Sequence, residues 1–260
     1  MQQEFDKKIG FIGCGHMASA IIKGVISANL CCADNVFASA LHEKSICGVK
    51  CGTNNIELAK NSDIIFLCVR PNDIFAVCEE IKNFVKDDAI IVSVAAFVTL
   101  EDIRKFFGCD IKIVRAMPNG PIAVGEGMTA LCGDVTGDIK TIFDCCGRCK
   151  VISEDLFDAA IAVSGSSPAY VYMFLDSMIS KACEFGMDYD DAVVFAVQAV
   201  LGSAKVVQEC DKSTSQLIDE ICTPGGTTIE AVKELKNQGF DNAIKAGMQA
   251  CYDKSSSRIS

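Results

Sequence analysis

The chain has 260 residues, 50% of them hydrophobic, and a net charge of −10. That length supports one large domain or two ordinary ones. An acidic balance with no basic run excludes nucleic acid as an expected partner, and no apolar run approaches the length of a membrane span.

The first element spans 8–27, KIGFIGCGHMASAIIKGVIS. Ile9, Phe11 and Ile12 read as a short strand. Gly13, Gly15 and Ala18 follow in G-x-G-x-x-A spacing, and Met17, Ile21, Ile22, Val25 and Ile26 recur at the intervals of one buried helix face. Each small residue has a physical task. The first glycine makes the turn, the second lets a diphosphate lie on the backbone, and the third position lets helix and strand pack closely. Backbone N–H groups at the helix start then face the anion. The first strand begins so early that no signal or transit peptide is expected before it. The 16 cysteines are scattered through predicted strands and helices, as small buried hydrophobes in a reducing compartment would be. A cytoplasmic location is expected.

Val36–Ala38 reads as the second strand. In a dinucleotide-binding fold an acid at its end would hold the ribose 2′-hydroxyl of NAD. The sequence instead offers Ser39, Ala40, Leu41 and His42, then Glu43 and Lys44. The missing acid favours NADP, and Ser39, His42 and Lys44 could meet a 2′-phosphate. His42 is otherwise a solvated loop residue. The apolar run 63–69 reads as a strand covered on both faces. Arg70 and Pro71 end it, with Arg70 either available to cofactor phosphates or simply exposed. The run 89–94 is another buried strand, after which Ala95 and Ala96 leave room for a flat ring. The run 111–116 is followed by a loop over Met117–Pro121, and 128–132 and 150–152 read as edge strands. Cys146-x-x-Cys149 follows a predicted helix and leads into a strand. That is the wrong context for a thioredoxin-type site, and with no second pair a zinc site is not expected either. These read as free thiols near a surface turn. The alternation over 8–152 predicts an α/β fold, a Rossmann-type doubly wound sheet, with a domain boundary at residue 153.

From 154 to 260 no strand is predicted. Pro168 opens a helix running to Phe185, with Gly186 as its stop. Another starts at Asp190-Asp191 and runs to Glu209. Its centre, 192–204, carries no charge and so calls for burial on every face, with help expected from a partner subunit. Pro224-Gly225-Gly226 is a turn, and Thr227 or Thr228 starts the next helix. Two glycines before a helix start suit either a small carboxylate site or an ordinary capped helix.

Several stretches together resemble the pyrroline-5-carboxylate reductases, nearly end to end. They are GFIGCGHMASAI at 10–21, CVRPND at 68–73, SVAA at 93–96, RAMPNGP at 115–121, AVSGSSPAYVY at 162–172 and TPGGTTIEAV at 223–232. The chain departs from the family at Phe97 and Ser167, where glycine is usual. The resemblance implies an all-helical dimerisation domain after the sheet, and hydride transfer from NADPH, with NADH as the alternative, to a cyclic imine carboxylate. It implies a cofactor held by Gly13, Cys14, Gly15, His16 and Met17, by Ser39, Ala40 and Asn55, by Val69, Arg70 and Pro71, and by Ala95 and Ala96. It places substrate against Thr223, Gly225, Gly226, Thr227 and Thr228, with Glu154 nearby, and self-association as homodimers assembled further into decamers. Such an imine is protonated before reduction, so no strong general acid is demanded. Thr228 could hydrogen-bond the ring nitrogen as the catalytic side chain. Two other readings stand beside this one. A hydroxyacid dehydrogenase would want a lysine soon after Ser164-Gly165-Ser166, but the next is Lys181. A non-catalytic redox sensor would not need an intact 223–228 turn.

Overall fold

The computed structural model describes residues 5–108 and 110–257, apart from the side chain of Lys44, so the expected part of Lys44 in cofactor selection lies outside the described residues. Two compact units divide the chain, one of residues 5–166 with 251–257, the other of 167–250.

The first unit is built on β1 (Ile9–Ile12), buried at every position. The other strands are β2 (Val36–Ser39), β3 (Lys44–Ile46), β4 (Val49–Gly52), β5 (Ile64–Leu67), β6 (Ile90–Ser93), β7 (Lys112–Met117), β8 (Gly127–Gly133) and β9 (Gly147–Val151). They form one sheet in the order β3-β4-β2-β1-β5-β6-β7-β8-β9. From β4 to β7 the pairings are parallel, which is the strand order of a dinucleotide-binding fold with β1 at its centre. β8 runs antiparallel to β7, and β9 parallel to β8.

Alternate strand residues feed opposite faces, as the two-residue period requires. Phe11, Ile64, Phe66, Val92 and Val114 pack with α1 (His16–Ser27) and α5 (Gly137–Asp144) on one face. The rings of Phe11 and Phe66 stack at 4.7 Å, and Phe143 of α5 meets Phe66 edge-on at 5.9 Å. Ile65, Leu67, Ile91 and Ile113 pack with α2 (Asn55–Asn61), α3 (Ile74–Ile81) and α4 (Leu100–Phe107) on the other. The doubly wound sheet is therefore as expected. A short α6 (Phe157–Ala160) follows the sheet, so the first unit runs past residue 153 to Ser166.

Two features differ from the sequence reading. The β3–β4 hairpin was not anticipated. Cys47 and Gly48 turn it with φ of 50° and 84°, the left-handed pair that a tight hairpin demands. Cys146 and Cys149 are free thiols beside a turn, as expected, but Cys146 does not lie at the surface. Cys146 is buried, and a Cβ on Gly24 would lie 2.3 Å from its sulfur. β9 begins at Gly147, ahead of the predicted Lys150, and a Cβ at Gly147 would sit 2.1 Å from the Gly127 carbonyl oxygen. Burial pushes the Cys146 thiol up to about 12. Burial, with a hydrogen bond to Asp144, pushes Cys149 up to about 11. Both shifts favour the thiol over the nucleophilic thiolate.

The second unit is helical, with no strand among the described residues. It holds α7 (Ser167–Glu184), α8 (Tyr189–Glu209), α9 (Thr214–Ile221), α10 (Thr227–Asn237) and most of α11 (Phe240–Ser256). Gly186 ends α7 at φ 94°. The Asp188 side chain accepts from the Asp190 N–H and caps α8. Expected burial of α8 on every side is not met within one chain. Only Ala192 and Ala196 are buried, whereas Val194, Phe195 and Leu201 are 66%, 67% and 57% exposed. A helix core this apolar in water calls for cover from another molecule.

Candidate active site

A crevice of about 800 Å³ opens at the C-terminal ends of β1, β2 and β5. This is where strand order reverses and where ligands of open α/β sheets lie. The backbone closes its floor. The Cys68 N–H donates to the Ile12 carbonyl at 2.7 Å, and the Gly13 N–H to the Ser39 carbonyl at 3.0 Å.

The two glycines do different work. Gly13 has φ 89°, and a Cβ there would lie 2.7 Å from Val69 Cγ1 and 2.8 Å from the Cys68 carbonyl. Gly15 stands before α1 as a residue with no side-chain cap, and a Cβ there would meet nothing within 4 Å. Strand, turn and helix start thus leave a space bounded by backbone, at the positive end of a helix dipole. A phosphate fits that cradle.

Of the expected cofactor residues, Gly13, Cys14, Gly15, Ser39, Ala40, Asn55, Val69 and Arg70 line the crevice, as does His42. His16, Met17, Pro71, Ala95 and Ala96 do not line it. Met17 packs against the core, Pro71 opens a short 3-10 turn, and Ala95 is buried among the residues under α3 and α4. Sequence reasoning missed Thr53, Asp73 and Val77 on the lining. Thr53 follows the unanticipated β4. Asp73 had a signal, three residues beyond Arg70, and it accepts from Arg70 Nε at 3.1 Å.

At the end of β2 the polar groups form a chain. Ser39, only 2% exposed, donates from Oγ to Asn55 Oδ1 at 2.6 Å. Asn55 Nδ2 donates to Glu80 Oε2 at 2.8 Å.

Two quoted motifs prove to be knit together within the same unit. Arg115 is buried, pairs with Glu154 Oε1 at 3.1 Å and lies over the Phe157 ring at 4.6 Å. The Leu100 N–H donates to the same oxygen at 2.9 Å. Glu154, expected near substrate, therefore has one oxygen engaged in holding β7 and the start of α4. Asn119 Nδ2 donates to the Ser164 carbonyl, and its Oδ1 accepts from the Met128 N–H, both at 2.9 Å. Ser164 belongs to a π-helical turn, Ile161–Gly165, closed by the Ser166 N–H on the Ile161 carbonyl. Phe97 sits at φ 69°. A glycine would hold this left-handed conformation without the strain that a side chain adds.

In the second unit Gly225 turns the chain at φ 77° ahead of α10. The Gly226 N–H donates to the Thr223 carbonyl at 3.0 Å, and a Cβ on Gly226 would lie 2.8 Å from Thr223 Oγ1. Gly226 precedes the helix with no side-chain cap. Thr227 and Thr228 are the first residues of α10, and Thr228 is half-buried. The sequence left open whether this turn is an ordinary capped helix; its start is capped by no side chain.

Comparison with known proteins extends over nearly the whole chain. Residues 154–258 match the family described as pyrroline-5-carboxylate reductase dimerisation. Residues 8–97 match the family described as NADP oxidoreductase, coenzyme F420-dependent. The chain is similar to pyrroline-5-carboxylate reductase of Escherichia coli, with 40% identity over 264 residues, covering 96% of this chain and 97% of that protein. It is similar to pyrroline-5-carboxylate reductase 3 of Danio rerio, with 33% identity, covering 96% of this chain and 91% of that one. Among solved structures it resembles the Plasmodium falciparum pyrroline carboxylate reductase with NADP bound, at a TM-score of 0.90 and 30% identity, covering 97% and 98% of the two chains. The Coxiella burnetii enzyme superposes with a TM-score of 0.87 at 30% identity, covering 98% and 99%.

Proposed function

The chain belongs to the pyrroline-5-carboxylate reductase family, and from that premise we propose how its own residues serve the reduction of 1-pyrroline-5-carboxylate to L-proline, the last step of proline synthesis. Its reductant is a nicotinamide dinucleotide. The observation that carries the site reading is the open space over Gly15 at the uncapped start of α1, where backbone N–H groups can take a diphosphate. In this reading the Gly13–Met17 turn holds the diphosphate, and Ser39, Ala40 and Asn55 hold the ribose end. Val69, Arg70, Pro71, Ala95 and Ala96 belong to the remainder of the cofactor site. NADPH is the proposed reductant, with NADH accepted as well, because no acidic side chain ends β2.

When bound, the reduced nicotinamide supplies the hydride. The chain's part is to bind and orient. The turn of Thr223, Gly225, Gly226 and Thr227 presents small residues; with the Gly226 N–H held by the Thr223 carbonyl, the N–H groups of Gly225 and Thr227 are the donors suited to the substrate carboxylate, and the Thr228 hydroxyl holds the ring nitrogen. Glu154 enters through Arg115, as a support. A protonated imine is already electrophilic, so fixing donor and acceptor in place can supply much of the rate. Incubating the purified chain with the imine and either NADPH or NADH should give imine-dependent cofactor oxidation. No oxidation with either cofactor would overturn the reading.

The assembly proposed is a homodimer through the helical unit, with decamers as a further step. What supports it is the apolar face of α8, exposed in a single chain. Light scattering at micromolar concentration should show no stable species at the chain mass of 27.8 kDa; a stable monomer would contradict it. No helix of the described residues is long and apolar enough to cross a membrane, and a cytoplasmic location belongs to the same proposal.

A further inference from the structure

The exposed carboxylate of Glu80, on α3, fixes the direction of every hydrogen bond between itself and the end of β2. A carboxylate only accepts, so Asn55 must turn its Nδ2 toward Glu80, where the contact is 2.8 Å. The amide is rigid, so its Oδ1 then faces Ser39. That oxygen also only accepts, so the Ser39 hydroxyl must give it its proton, across 2.6 Å. Ser39 and Asn55 both line the crevice, at the strand end where a dinucleotide fold reads the ribose 2′ position.

The consequence is chemical. A 2′-hydroxyl can donate to the lone pairs of Ser39 Oγ. A 2′-phosphate has only acceptors and needs donors, yet the Ser39 proton is committed to Asn55 and one Asn55 N–H to Glu80. Resting on the dinucleotide reading of this crevice, we propose that Glu80 is a positioning residue for cofactor selectivity. Through Asn55 it holds Ser39 as an acceptor, which weakens the grip on a 2′-phosphate and preserves a share of binding for NADH.

Replacing Glu80 by glutamine or alanine removes the demand for a donor. Asn55 can then turn over, donate from Nδ2 to Ser39 Oγ, and release the Ser39 proton toward a phosphate. Dissociation constants for NADPH and NADH, read from nucleotide fluorescence, test this without any turnover. In Glu80→Gln and Glu80→Ala the NADPH constant should fall relative to that of NADH by at least about fivefold, the effect of one hydrogen bond to a charged group. Glu79→Gln is the charge control. Glu79 is the neighbouring exposed acid, paired with Lys82 at 2.7 Å, and its loss should leave the ratio unchanged. An unchanged ratio in both Glu80 variants overturns the inference. So does an equal shift in Glu79→Gln, which would make the effect one of net charge, and so does a parent chain that binds neither nucleotide. A shifted ratio in a chain that fails to reduce the imine would sink the substrate assignment and leave Glu80 in its role.

Discussion

Gly15→Val is expected to raise the dissociation constant for NADPH by at least about tenfold, or ~1.4 kcal/mol, while the melting temperature stays near that of the parent chain. The two halves of that expectation come from one observation. A Cβ at Gly15 meets no protein atom within 4 Å, and no left-handed φ is involved, since its φ is −81°. A valine therefore fits the fold but projects into the space reserved for phosphate oxygens. Gly13 gives the opposite pattern. Its φ of 89° and a virtual Cβ 2.8 Å from the Cys68 carbonyl make even Gly13→Ala a strained substitution that acts first on stability. Nucleotide titration together with thermal melts separates the two. Unchanged NADPH affinity in a folded Gly15→Val chain would remove the diphosphate from this turn.

Thr228→Val should lower kcat/KM by roughly tenfold to a hundredfold, about 1.4–2.7 kcal/mol for one lost active-site hydrogen bond. Cofactor binding and melting should be near normal. Valine keeps the shape and removes only the hydroxyl. If that hydroxyl capped α10, its loss would cost about 1 kcal/mol of stability and leave turnover alone. The structure argues against that role, because the residue before the helix is Gly226 and its start has no side-chain cap. Parent-like kinetics with a lowered melting temperature would show that the hydroxyl serves the fold instead.

Sequence legibility followed locality. The β1–α1 turn could be read because its strand, its small residues and its helix face lie within one short stretch, each with its own period. The helical character of α8 was legible for the same reason, but its burial was not, because cover for an apolar face need not come from the same chain. The β3–β4 hairpin escaped because Cys47-Gly48 is not a usual turn pair, although it takes left-handed φ at both positions. Missing the hairpin also hid Thr53. The ties that hold the site lie furthest from view. Arg115 and Glu154 are 39 residues apart and Asn55 and Glu80 are 25 apart, and no spacing rule connects side chains so far apart in sequence. The motif residues Arg115 and Asn119 could be seen to matter, yet only the structure gives their work, which is to fasten β7, β8 and the turn at Ile161–Gly165.

As a member of its family, this chain moves a hydride from a nicotinamide to an imine carbon. Turnover of 1-pyrroline-5-carboxylate with cofactor carrying deuterium at both positions of the hydride-donating carbon, followed by mass spectrometry of the product, is the test. The expected product is L-proline carrying one deuterium, on the ring carbon that was double-bonded to nitrogen. Proline formed without the label, or cofactor oxidised with no proline formed, would contradict it.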